Sequence, residues 1–149
     1  MPDQELIDGL VATYRTLNMT VRTLPEAQLR RSPGSNGTSV RDIVQQMRDD
    51  ELRFSQALKV RITTGSPMPD LSQVELPVVG TEHQDDPTAV LIAQFGTARE
   101  STLAMLRSLP DPEWDTTEHG SPTITESIRE RLAADRRHLE QIASLIGTR

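Results

Sequence analysis

Asp135 and His138 stand three residues apart in the run Leu132-Ala133-Ala134-Asp135-Arg136-Arg137-His138-Leu139-Glu140-Gln141-Ile142. On a helix this spacing turns a carboxylate and an imidazole toward one side, as in the Glu-x-x-His pairs that hold metals inside helical bundles. A second group is Gln46, Asp50 and Glu51, with Gln46 and Asp50 one turn apart on a shared face. Neutral imidazole is a strong ligand for a transition metal, and an amide oxygen is a weak one. A divalent site built on Asp135 and His138 therefore needs Asp50 or Glu51 to complete it. The competing chemistry is ion pairing, because a buried carboxylate is costly unless it is paired or coordinated. Arg131, one turn before Asp135, His138, or an arginine from another helix could supply that partner.

These side chains need helices to position them, and four segments carry helical periodicity. The first runs from about Asp3 to Thr23, with Leu6, Leu10, Thr13, Leu17, Val21 and Leu24 at spacings of three and four and Asp3 as N-cap; Pro25 marks its end. The stretch from Gln28 to Thr38 closes on a Pro/Gly/Ser/Asn loop. The second helix starts at Thr38 or Ser39, with Asp42 completing an approximate capping box after Ser39. Val40, Ile43, Val44, Met47, Glu51, Phe54 and Leu58 trace its stripe to about Ile62. Glu51 falls on that stripe, so burial against an interior arginine is the expected account of it.

A segment rich in Pro, Asp and Gly follows from Ser66 to Pro87, with the apolar pieces Val74-Glu75-Leu76 and Val78-Val79. Its length suits an overhand connection across a bundle. The third helix begins at Asp85 or Asp86, with Pro87 at the first helical position, and ends before Pro110. Its stripe is Val90, Leu91, Gln94, Phe95, Ala98, Thr102, Met105, Leu106 and Leu109. The fourth opens at Thr123 or Thr125, where Thr123 and Glu126 form a capping-box pair, and runs to about Ile146 with Gly147 as its stop. Asp135 lies near the centre of that helix's apolar stripe, and His138 lies roughly 75° away at its flank. Trp114 reads as a plug on the bundle end, and His83 and His119 read as solvent-exposed loop residues.

At 149 residues the chain is expected to form one domain spanning 1–149. A formal charge of −6, with Lys59 the only lysine, argues against nucleic acid and anionic membrane as partners. The absence of cysteine excludes disulfides, thiolate catalysis and cysteine-bound zinc. No apolar run approaches the length of a membrane span, so a cytoplasmic location is expected.

Ser39-Val40-Arg41-Asp42-Ile43-Val44-Gln45-Gln46-Met47-x-x-x-Glu51 resembles the helix-two signature of the DinB-like superfamily. Asp135-x-x-His138-x-x-Gln141-Ile142 resembles its helix-four run, and Arg99-Glu100, Pro112-Glu113-Trp114 and His119-Gly120 fall in the matching order. The resemblance implies an all-α, up-down-down-up four-helix bundle with a long connection between helices two and three, often as a homodimer. It also implies, for many members, three histidines on nickel or zinc, and for some a thiol transferase or isomerase activity using mycothiol or bacillithiol. Residue by residue, the helix-two histidine falls at Gln46, the first helix-four histidine at Ala134, and only His138 matches.

The expectation is accordingly a bundle without the three-histidine site and without a resident cofactor. It would bind a small molecule in a pocket lined by Gln46, Asp50, Glu51, Asp135 and His138, or act as a dimeric module. The alternative is a metal-dependent thiol transferase or hydrolase with a rebuilt site, in which His138, Asp135 and Gln46 are the weak ligand candidates for a divalent nickel or zinc ion.

Overall fold

A computed structural model describes residues 4–33, 37–76 and 85–147. Asp3, Val78-Val79 and His83 lie outside the described residues. Four long helices dominate: α1 (Gln4–Val21), α3 (Val40–Thr64), α4 (Thr88–Ser108) and α5 (Ile124–Gly147), with a single-turn α2 (Glu26–Leu29) between the first two. Short 3-10 turns occupy Leu71–Gln73 and Asp111–Trp114. The four long helices form an all-α bundle.

Local chemistry sets the helix ends. The Ser39 hydroxyl accepts from the Asp42 amide at 3.1 Å and the Asp42 carboxylate accepts from the Ser39 amide at 3.0 Å, so two otherwise unpaired donors of α3 are satisfied. Gly65, at φ 71°, closes α3 in the left-handed conformation that favours glycine. Thr123 and Glu126 make the same reciprocal pair before α5. Gly147 is the last residue of α5 and the last described residue of the chain.

Pro87 lies just outside α4, as its N-cap, and offers no side-chain cap. The missing acceptor comes from α2, which the sequence pattern did not announce. Its Glu26 carboxylate accepts from the Thr88 amide at 3.1 Å and the Thr88 hydroxyl at 3.2 Å, while Arg30 bonds Glu26 at 2.7 Å. Burial works to raise the Glu26 pKa, but Arg30 and Thr88 outweigh it and hold the carboxyl below its ordinary range.

Two apolar clusters reveal the chain directions. One joins Leu17 and Val21 of α1, Val40 to Met47 of α3, Leu91 to Phe95 of α4, and Ile142 of α5. The other joins Leu6 to Leu10, Phe54 and Leu58, Leu103 and Leu106, and Ile124 and Ile128, with Trp114 fully buried among them. Thus α1 and α5 begin at the second cluster, whereas α3 and α4 begin at the first. The order is up-down-down-up. Because α3 and α4 are consecutive yet parallel, the segment between them must recross the full bundle. Met68 and Leu71 anchor that crossover against the second cluster. Each fully buried Leu, Ile or Phe contributes about 1.5–3 kcal/mol relative to exposure, so these two clusters carry the bundle.

Candidate functional site

Between the clusters lies a polar layer to which every long helix contributes. Arg99 of α4 is 1% exposed and is its hub. Its guanidinium donates to Asp135 Oδ2 at 3.0 Å and Oδ1 at 3.1 Å, to Glu51 Oε1 at 2.9 Å, and to the Leu10 carbonyl at 2.9 Å. Two threonine hydroxyls add to the bonding of these carboxylates. The Thr13 hydroxyl donates to Asp135 Oδ2 at 2.8 Å, and the Thr102 hydroxyl to Glu51 Oε2 at 2.8 Å. Arg99 also lies 4.9 Å over the Phe95 ring. Burial opposes its charge, but Glu51 and Asp135 more than compensate and raise its pKa.

The five candidate pocket residues therefore divide into two sets. Glu51 and Asp135 belong to the buried layer, where both are committed to Arg99. Gln46, Asp50 and His138 stand at the rim between α3 and α5. The exposed Gln46 amide donates to Asp50 at 2.7 Å, and Arg53 approaches the same carboxylate at 3.5 Å. His138 is half-buried. Burial lowers its pKa, Asp50 and Asp135 oppose that shift, and Arg131 and Arg137 add to it.

Of the partners open to Asp135, the structure selects an arginine from another helix. Arg131 is released from that role. It lies 5.9 Å from the Phe54 ring centroid, is 8% exposed, and its Nη1 is buried without a hydrogen-bond partner. Arg131 lines a cleft of about 430 Å³ between α3, α5 and the start of the crossover, together with Phe54, Met68, Leu71, Ser127 and Ala134. None of the five residues expected to line a pocket borders this cleft. Each lies instead in the buried layer or along the adjoining rim.

One histidine expectation also changes. His119 is half-buried rather than solvent-exposed: its Nδ1 is 2.8 Å from the Gly65 carbonyl, tying the loop before α5 to the end of α3, and its Nε2 is 3.7 Å from Glu113. Trp114 fills the bundle end as expected.

Arg99 is the residue that sequence reasoning missed as a hub. The signal was present: it follows Phe95 by four and precedes Thr102 by three, on the buried face of its helix. An arginine there has to find acids in the core.

The donor set does not fit the divalent metal that the resemblance implies. Position 134 offers a methyl group, Gln46 is turned onto Asp50, and the oxygens of Asp135 are taken by Arg99 and Thr13. Among the described residues no group of three or more His, Asp or Glu side chains is arranged to hold an ion.

The family model of the DinB superfamily matches residues 10–142. Among solved structures, the chain is similar to YfiT from Bacillus subtilis, described as a probable metal-dependent hydrolase with an unusual four-helix bundle topology. The TM-score is 0.74 at 18% identity, covering 95% of this chain and 84% of that one. No curated protein matches the chain. The family match spans nearly all of the bundle, from α1 to the last turns of α5, and the chain is a member of the DinB superfamily.

Proposed function

We propose that this DinB-superfamily bundle works without the family's three-histidine metal centre and binds a small molecule in the cleft between α3, α5 and the crossover. The observation that carries this reading is the pairing of Ala134 with Arg131 along that cleft. Where a metal-binding relative would present an imidazole there is open volume, and one turn away there is a buried cation without a hydrogen-bond partner. A cavity of about 430 Å³ is of the size that small-ligand sites occupy.

A rebuilt metal site, as in a metal-dependent hydrolase, would need Asp135 detached from Arg99 and Thr13. That would leave the guanidinium of Arg99 short of a partner in the core, at a cost of several kcal/mol. The geometry favours the metal-free reading for this reason.

Elemental analysis of untagged protein after dialysis against a weak chelator tests it. Substoichiometric nickel, zinc, iron and manganese are expected. One equivalent of a transition metal that disappears in His138→Ala would overturn the proposal.

A further inference from the structure

We propose that the ligand of this cleft is a small organic carboxylate with a compact apolar body, its anionic end held by Arg131. The inference rests on the cleft being a ligand site at all, as proposed above, and adds the chemical class. Arg131 is more than nine-tenths buried and, among the described residues, makes no hydrogen bond or ion pair. A buried guanidinium with open donors is costly, and a carboxylate is the planar acceptor that matches its fork. Asp135, one turn along α5, does not satisfy it, because its oxygens accept from Arg99 and Thr13 instead.

Two further features narrow the class. The rest of the inner wall is apolar, from Phe54, Met68, Leu71 and Ala134, and the one hydroxyl is that of Ser127, a turn before Arg131 on the same helix. A body of hydrocarbon or aromatic character suits that wall. At the outer lip stand the exposed Asp70 and Glu130, opposed by the exposed Arg137. The Asp70 carboxylate is fixed by the Ser72 amide and hydroxyl, both at 2.9 Å, and these bonds lower its pKa, so it stays charged at the opening. Acids at the lip and one cation inside disfavour phosphates and other polyanions and admit a monoanion.

The test is amide chemical-shift titration of the full chain with benzoate and hexanoate, with benzamide and hexanamide as neutral matches, and with inorganic phosphate. The acids are expected to shift amides of residues 127–134 and to bind at least about tenfold more tightly than their amides, the ratio expected for one charge-assisted hydrogen bond. Arg131→Met is expected to bring acid and amide to equal affinity, and Arg131→Lys to restore part of the preference. Equal binding of acid and amide by the unmodified protein, or phosphate binding as tightly as benzoate, would overturn the anion assignment while leaving the cleft a ligand site. If neither acids nor amides shift residues 127–134, the cleft reading itself falls. The comparison on unmodified protein decides the matter even if Arg131→Met fails to fold.

Discussion

Replacing Arg99 with methionine keeps much of the side-chain volume and removes the charge, which isolates what the polar layer does for stability. The guanidinium makes four hydrogen bonds within 3.1 Å, three of them to carboxylate oxygens. Without it, Glu51 at 1% exposure and Asp135 at 4% keep only the Thr102 and Thr13 hydroxyls as partners. Adding the bonds at face value would overshoot, because the wild-type core also bears the cost of desolvating three charges. The measured cost of removing one partner from a buried pair, about 3–5 kcal/mol, is the better guide. With two carboxylates orphaned, we predict the upper part of that range. For a urea slope of about 2 kcal/mol per molar, the unfolding midpoint should fall by about 2 M. Urea melts followed by circular dichroism at pH 7.5 read this directly, and the slope must stay constant for the comparison to hold.

Glu51→Gln with Asp135→Asn in the Arg99→Met background should recover part of the loss, because the orphaned charges are then gone. A midpoint for Arg99→Met within 0.5 M (about 1 kcal/mol) of wild type would refute the argument. So would a triple variant less stable than the single one.

Further outcomes follow from the rim and the helix ends. Burial lowers the His138 pKa, so the unfolded chain binds its proton first as pH falls. Stability should therefore drop as pH falls through the ordinary imidazole value of 6.5 and level off below the lowered folded value. His138→Gln should flatten that part of the urea-midpoint profile between pH 8 and 5, and superimposable profiles would contradict the assignment. Ser39→Ala removes the hydroxyl bond of the capping box, leaving the backbone amide of residue 39 on the Asp42 carboxylate, and should cost about 1 kcal/mol in a urea melt, with no measurable change if the box were incidental.

Much of this protein was legible in its residues. Periodicity and breakers located four helices to within a few residues, since a 3.6-residue stripe is imposed by the need to bury one face. Ser39 and Thr123 marked two starts because capping is a local bond between residues three apart. The resemblance in the Ser39–Glu51 and Asp135–Ile142 runs agrees with the family match. Glu51 and Asp135 were recognisable as acids on apolar stripes, and therefore as residues in need of a partner.

Which partner each took was decided only by the tertiary structure. Arg131 and Arg99 were both available by type, but only Arg99 stands where α1, α3 and α5 converge, and that distance depends on all four helices at once. The same holds for Glu26 capping α4 across 62 positions of chain, and for His119 reaching Gly65. The cleft is of this kind too. Its walls come from α3, α5 and the crossover, and a linear pattern records which face of a helix is buried without recording which helix lies against it.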